Sequence, residues 1–271
     1  LDMMPEMKDS PHTRDYHFLK GGIEFKALSF GYKKDELILE RINFSIEPGA
    51  KIALVGPSGC GKTTLLSLLL RLYEPNAGDI LIDALDIKDM KLASLKAQMG
   101  IVLQEPFLWN DTVANNILYG AKGTAGREDL IKAAQIAEVH NFILNLPKQY
   151  DSIIGEAGGK ISEGEKQRIA IARAIIARPK LLILDEAMSS VDSQIEERIA
   201  DNIREEFRDS TIIIVSHRLS TVKKMDLVYF LEGPGKMHIA TADNLGALNQ
   251  KYRELFASQM EKQECHILLS S

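Results

Sequence analysis

A chain of 271 residues, 45% hydrophobic and 26% charged, has the composition of an ordinary globular protein and enough length for a full core in one large domain or two small ones. Its net charge of −5 argues against the broad basic face that nucleic-acid binding calls for. No apolar run approaches the ~18–20 residues of a membrane span, no signal peptide is visible, and the two cysteines, Cys60 and Cys265, lie far apart, as suits free thiols in a reducing compartment.

The polar opening, residues 1–20, contains Pro5 and Pro11 and reads as a linker; a chain that begins with Leu1 rather than Met reads as a fragment of something longer. From Gly22 to Tyr32, apolar side chains alternate with polar ones (Ile23, Phe25, Leu28, Phe30), which predicts an antiparallel strand ending at the turn Lys33-Lys34-Asp35. Ile42 to Ile46 repeats the pattern before Pro48-Gly49, so the two strands form a small sheet. Tyr32 either packs at the core edge or offers a face on which a base stacks.

The apolar run Ile52 to Val55 leads into Gly56-Pro57-Ser58-Gly59-Cys60-Gly61-Lys62-Thr63 and then the helix-forming stretch Leu65 to Leu72. This is the phosphate loop G-x-x-x-x-G-K-[ST] in its strand, loop and helix setting. Glycines let successive backbone N–H groups turn inward toward phosphate oxygens, and the helix N-terminus adds partial positive charge. Lys62 is expected to reach the β- and γ-phosphates and the Thr63 hydroxyl to ligate Mg²⁺, so the chain binds a nucleoside triphosphate. Cys60, beside a helix N-terminus, is expected to have a lowered thiol pKa and to be shielded from alkylation by bound ATP.

Beyond the helix, Glu74 to Gly78 is a turn and Asp79 to Ile82 a strand; the spaced acids Asp83, Asp86 and Asp89 read as solvated rather than metal-binding. Gly100 to Leu103 is a buried strand that ends at Gln104. Phe107, Leu108 and Trp109 follow a proline in a loop and are expected to form a docking patch rather than core. Helical signals then dominate: Glu128 to Val139, a break at Leu146-Pro147, and Glu165 to Arg178 stopped by Pro179. They predict a helical subdomain over about 105–178, inserted into an α/β part.

Lys180 to Leu184 and Thr211 to Val215 are uninterrupted apolar strands, the mark of burial on both faces, and end in Asp185-Glu186 and Ser216-His217. Ser193 to Phe207 is a crossover helix capped by Asp192 or Ser193. Parallel strands would thus bring Gly56, Asp185-Glu186 and His217 to one carboxyl-end edge, where open α/β sheets bind ligands. Leu227 to Leu231 reads as a strand, Gly233-Pro234-Gly235 as a turn and Leu245 to Gln263 as one amphipathic helix. Cys265-His266 is a weak metal signal, and His12, His17, His140 and His238 read as structural or solvated. No repeat or low-complexity segment appears.

Phosphoryl transfer to water needs charge neutralisation and an aligned nucleophile. At that edge Asp185 is placed to hold Mg²⁺ through water, and Glu186 to orient and deprotonate the attacking water. The Gln104 amide suits water or metal, and His217 suits donation to the γ-phosphate.

In their order, GPSGCGKT, the glutamine of VLQEP, ISEGEKQR, LLILDEA, SSVD and the histidine of VSHR resemble the ATP-binding cassette family, specifically the nucleotide-binding domain of exporters, over about residues 21–250. The resemblance implies an α/β fold: a P-loop NTPase core with a mainly parallel sheet, a flanking antiparallel β-subdomain and an inserted helical subdomain. It implies an ATPase domain over 21–248, with 249–271 as a C-terminal helix and tail. Tyr32 would stack on adenine; Ser58, Gly59, Cys60, Gly61, Lys62, Thr63 and Thr64 would line the phosphates, with Asp185 beside them. Glu186 would be the catalytic carboxylate, Asp192 part of the loop coupling two sites, and Gln104 a sensor of the transmembrane partner.

The family's signature, LSGGQ, reads Ile161-Ser162-Glu163-Gly164-Glu165 here, departing at its third and fifth positions. Ser162 and Gly164, expected to touch the γ-phosphate of ATP on the opposite subunit, are retained. Ser162 and Glu165 also fit the S-x-x-E capping box, which makes the fifth-position change structurally bland. Glu163 is harder to accommodate, since a carboxylate near a triphosphate is repelled more strongly as the interface dries. The expectation is that it points away; otherwise the composite site is weakened.

The stretch Phe107 to Ile117 resembles the exporters' xFxxTxxxNI surface, and Gly155-Glu156-Ala157-Gly158 their GExG segment without its usual arginine. Leu1 to Glu6 resembles the link after a final membrane helix. The implied partners are a second nucleotide-binding domain, identical or different, and the transmembrane domain of the same transporter, at the cytoplasmic face of a membrane, with no nucleic acid. The implied cofactors are ATP and Mg²⁺. The alternatives are a regulatory half-site with weak hydrolysis and a soluble cassette ATPase with no membrane partner.

Overall fold

Apolar alternation shapes the first of two compact units, which holds residues up to 98 and from 215 onward. The computed structural model describes residues 9–16, 20–33, 36–121, 123, 125–155, 161–257 and 259. Strands β1 (Ile23–Phe30) and β2 (Leu39–Ile46) pair antiparallel. The three-residue step from Phe25 to Leu28 in the apolar pattern is a bulge, with Ala27 at φ 44° and its amide donating to Asn43 Oδ1 at 2.7 Å. After the Pro48-Gly49 turn, β3 (Lys51–Val55) is buried along its whole length and leads to helix α1 (Lys62–Leu69). Next, β4 (Ala77–Ile82) lies along the other edge of β1 and β5 (Leu85–Asp86) along β4, giving the order β2-β1-β4-β5. Helix α2 (Leu92–Ala97) follows.

The acids between these elements cap backbone. Asp83 Oδ1 accepts from the Gly22 amide at 3.0 Å, Asp83 Oδ2 accepts from the amides of Lys20 and Gly21, and Asp86 accepts from Lys88 N at 2.9 Å. Residues 9–16, part of the stretch expected as linker, lie along this unit. Arg14 bridges Met90, with Arg14 N donating to the Asp89 carbonyl at 2.8 Å and Lys91 N to the Arg14 carbonyl at 2.9 Å. The Asp9 carboxylate accepts from Leu92 N at 2.9 Å and lies 3.7 Å from the buried Arg71 guanidinium.

The second unit, residues 99–214, contains β6 (Met99–Val102), β7 (Asp111–Thr112), α3 (Val113–Leu118), α4 (Arg127–Ile136), α5 (His140–Leu144), β8 (Ile153–Ile154), α6 (Glu163–Ile175), β9 (Leu181–Asp185), α7 (Ser193–Glu206) and most of β10 (Thr211–Val215). All five residues of β9 and of β10 are buried, which accounts for their unbroken apolar sequence. β6 runs parallel to β9 with Val102 opposite Leu184, in the order β10-β9-β6. Helix α6 packs on β6, α3 and α4; at Gly100 a Cβ would come within 2.5 Å of the Ala174 carbonyl oxygen, so the helix sits hard against the strand.

The chain then returns to the first unit through α8 (Leu219–Lys223), β11 (Leu227–Gly233), β12 (Lys236–Ala240) and α9 (Ala242–Leu248). β11 is parallel to β3, with Phe230 opposite Val55, and antiparallel to β12. Tyr229 links this sheet to the other: its ring lies 5.3 Å from Phe44 and its hydroxyl donates to the Ser45 carbonyl at 2.6 Å. The single helix expected from Leu245 to Gln263 is instead divided. α9 starts earlier, at the Thr241 cap, and ends before Asn249, which is extended and accepts the Tyr252 amide on its side chain at 3.0 Å, capping a new helix over residues 250–257. Tyr252 and Phe256 on that second helix are fully buried.

Among the described residues no helix is long and apolar enough to cross a membrane. Leu1 to Glu6, His17, Lys34, Asp35, Glu156 to Gly158 and the Cys265-His266 pair lie outside the described residues.

Candidate functional site

In the first unit the phosphate loop is built as its motif requires. Gly61, the residue before α1, has φ 107°, and a Cβ there would lie 2.9 Å from Leu39 Cδ2, so only glycine fits. Ser58, Gly59 and Thr63 are exposed, while Cys60, Gly61, Lys62 and Thr64 are buried. Lys62 Nζ donates to the carbonyls of Gly56 at 2.8 Å and Pro57 at 3.0 Å, and among the described residues no carboxylate pairs with it. A buried ammonium without a counter-ion is costly unless an anion arrives to share the loop. Thr63 stands in the first turn of α1 and is exposed, so the loop's chemistry fits a triphosphate and its Mg²⁺.

The expectation of an activated Cys60 is corrected. Cys60 is only 8% exposed, and burial pushes its pKa up, outweighing the attraction of Lys62 and the backbone hydrogen bonds.

Tyr32 is 54% exposed and its hydroxyl lies 3.4 Å from Thr64 Oγ1, at the head of α1. Its ring is held edge-on by Phe30 at 5.1 Å and by Tyr73 at 5.3 Å. Tyr73 carried no motif in the sequence. His217 follows β10 and is exposed; its carbonyl accepts from Gln259 Nε2.

The second unit holds the other predicted residues. Because Val102 lies opposite Leu184, Gln104 and Asp185-Glu186 leave neighbouring parallel strands at the same end. Asp185 is buried and Gln104 exposed. Glu186 has φ 49°, a left-handed backbone that costs a side-chain-bearing residue about 1–3 kcal/mol and that concentrates at functional sites. Sequence reasoning could not find this feature. Asp192 caps α7 by accepting from Gln194 N at 2.9 Å.

At the signature, Ser162 and Glu165 form the expected capping box: Ser162 N donates to Glu165 Oε2 at 2.7 Å, and Glu165 N to Ser162 Oγ at 3.3 Å. Glu163 is paired with Lys166 one turn on, at 3.2 Å. At Gly164 a Cβ would fall 2.8 Å from the Ser190 carbonyl oxygen, so this glycine also meets a packing demand.

Of the loop residues after Pro106, Phe107 is 68% and Trp109 38% exposed, while Leu108 turns inward. What lies beneath them has no local sequence signal. Arg173 stacks its guanidinium 4.6 Å from the Trp109 ring centre and donates to the Phe107 carbonyl at 2.7 Å and to Asn116 O and Oδ1 at 2.8 and 2.9 Å. Burial draws the Arg173 pKa down to about 10. Tyr119, 4.1 Å from Trp109, completes an exposed aromatic patch.

The sequence profile of the family described as ABC transporter matches residues 39–189. An uncharacterized ABC transporter ATP-binding protein of Bacillus subtilis, YwjA, is 43% identical over 235 residues, which is 87% of this chain and 41% of that protein. An ATP-dependent lipid A-core flippase of Syntrophus aciditrophicus is 40% identical over 262 residues, 97% of this chain and 43% of the flippase. A solved bacterial Atm1-family ABC exporter with ATP bound matches with a TM-score of 0.90 at 38% identity, covering 96% of this chain and 46% of that one. The chain thus spans less than half the length of these relatives. With a phosphate loop built around a buried lysine held by the Gly56 and Pro57 carbonyls and a family profile covering more than half of its residues, the chain belongs to the ABC transporter family.

Proposed function

We propose that the chain is the ATP-binding and ATP-hydrolysing domain of an exporter, at the cytoplasmic face of a membrane. The observation that carries this reading is Lys62: a buried ammonium, held by two carbonyls in a glycine loop and with no carboxylate beside it among the described residues, whose counter-charge a nucleotide phosphate supplies. Tyr32 stacks on adenine, and backbone N–H groups from Ser58 to Thr64 bind the phosphates. Thr63, Gln104 and Asp185 would hold Mg²⁺, Asp185 through water, and the ion would supply positive charge to offset that on the β- and γ-phosphates. Glu186 orients and deprotonates the attacking water, and His217 donates to the γ-phosphate.

Ser162 and Gly164 would complete the site on a second copy or a related domain, so two domains enclose two ATP molecules head to tail. Closure would drive the membrane part of the parent protein outward-facing, and hydrolysis would reset it. The aromatic patch of Phe107, Trp109 and Tyr119, braced by Arg173, suits contact with that membrane part and favours this reading over a cassette with no membrane partner. The Glu163–Lys166 pair favours a working motor over a weakly hydrolysing half-site.

Glu186→Gln tests the assignment. It should keep ATP binding, lower turnover about 10²–10⁴-fold and trap an ATP-dependent dimer on size-exclusion chromatography. Wild-type turnover in the variant would remove Glu186 from the catalytic role. Lys62→Ala should weaken binding of labelled ATP itself.

A further inference from the structure

The signature turn and the loop after β9 are tied together by one buried amide. Gln167, in the second turn of α6, is only 1% exposed. Its Nε2 donates to Ser189 Oγ at 3.1 Å, and its Oε1 accepts from the Ser190 backbone N–H at 3.1 Å. Both ends of the amide are therefore committed to two consecutive residues of a loop more than twenty positions away. Three residues earlier, on the same face of α6, the Gly164 backbone presses against the Ser190 carbonyl, where a Cβ would come within 2.8 Å. The loop itself has little freedom: Ser189 N donates to the Glu186 carbonyl at 3.1 Å, Val191 N to the Met188 carbonyl at 3.0 Å, and the Val191 side chain is buried. One residue later Asp192 caps α7.

We propose that Gln167 is a positioning residue that makes the signature turn, Ser162 to Gly164, and the loop Ser189 to Asp192 a single rigid body. A displacement of the signature turn then reaches Asp192 directly, and also the carbonyl of Glu186 through Ser189. This inference rests on the reading that Ser162 and Gly164 meet nucleotide held by a second domain. Given that reading, Gln167 converts the arrival of a neighbour's γ-phosphate into a shift of the coupling loop in the same chain. The physical basis is the expense of loosening a doubly bonded amide whose own residue is buried: freeing either end leaves a Gln167 polar atom short of a partner.

The test is made in the full-length protein with Gln167→Met, which keeps volume and helix propensity but forms neither bond. Turnover should fall about tenfold, on the scale of two lost hydrogen bonds. Affinity for labelled ATP should stay within about twofold, and the Hill coefficient for ATP should drop toward one. Gln167→Glu should retain more than half of wild-type turnover, because its carboxylate accepts from both the Ser190 N–H and the Ser189 hydroxyl. Wild-type turnover and Hill coefficient in Gln167→Met overturn the proposal, even if its melting temperature falls. Where Gln167→Met does not fold, Ser189→Ala, at an exposed position, removes one of the two bonds and should give a smaller loss of the same kind; no loss there overturns the proposal as well. Ser162→Ala separates the two levels. If it leaves turnover intact, the reading of the signature fails; if it abolishes turnover while Gln167→Met does not, only the rigid-body inference fails.

Discussion

Gln259 brackets His217: its Nε2 donates to the His217 carbonyl and its Oε1 accepts from the Leu219 amide, each at 2.8 Å. The residue expected to approach the γ-phosphate thus has its backbone held from the C-terminal side of the chain. Gln259→Ala should lower turnover about threefold to tenfold, the scale of two neutral hydrogen bonds, without changing ATP affinity. Steady-state hydrolysis set beside a binding titration checks this; equal turnover would mean that the histidine is held by other contacts.

Tyr73 should matter to nucleotide binding through Tyr32. Edge-on aromatic pairs contribute about 0.5–1.5 kcal/mol, so Tyr73→Ala should weaken ATP binding about twofold to tenfold, and Tyr73→Phe should restore it. Because the effect concerns the base, affinity for inorganic tripolyphosphate should not move. Parallel losses for ATP and tripolyphosphate would point to damage in the loop instead.

The Glu163–Lys166 pair gives a charge test at the signature. Exposed pairs of this kind contribute little to stability, so Glu163→Gln should leave both melting temperature and turnover within about twofold of wild type. Lys166→Met, which bares the carboxylate, should slow turnover more than Glu163→Gln does. A rise of about tenfold in Glu163→Gln would mean that the carboxylate faces the phosphate and restrains the enzyme.

Glu232 predicts an acid limit to stability. Hydrogen bonds from Lys251 at 3.0 Å and His238 at 2.8 Å hold its carboxyl down to about 2. Its folded pKa lies below the unfolded value of about 4.3, so between these values the unfolded chain binds more protons and stability rises with pH. The contribution is complete above the unfolded pKa and is lost as pH falls toward 2. Urea midpoints taken across pH 2–5 should fall less steeply toward acid in Glu232→Gln; identical slopes would remove Glu232 as the cause.

Local signals carried the reading furthest. The phosphate loop was legible because its residues are contiguous, and β9 and β10 because burial on both faces forbids polar residues. The capping box at Ser162 is likewise a four-residue pattern. What escaped was non-local or conformational. Gln167, Tyr73, Arg173 and Gln259 act on partners tens of residues away, and nothing in their own neighbourhoods marks them. The break at Asn249 was hidden inside an amphipathic pattern that continues on both sides of it. At Cys60 the helix start is visible in the sequence, whereas the burial that opposes it and raises the thiol pKa depends on the packed fold. The left-handed Glu186 follows from the fold of a turn, not from residue type.

The docked stretch from Asp9 to Tyr16 sets where a pull on the chain ahead of it would be felt. Asp9 is pinned at Leu92 and Arg71, and Tyr16 at Ser94 and Gln98. A pull applied ahead of Asp9 would be met at Arg71 and at Leu92, the first residue of α2, before it reached β1. Residues 9–16 would then work as a strut laid against α2, loading that helix first.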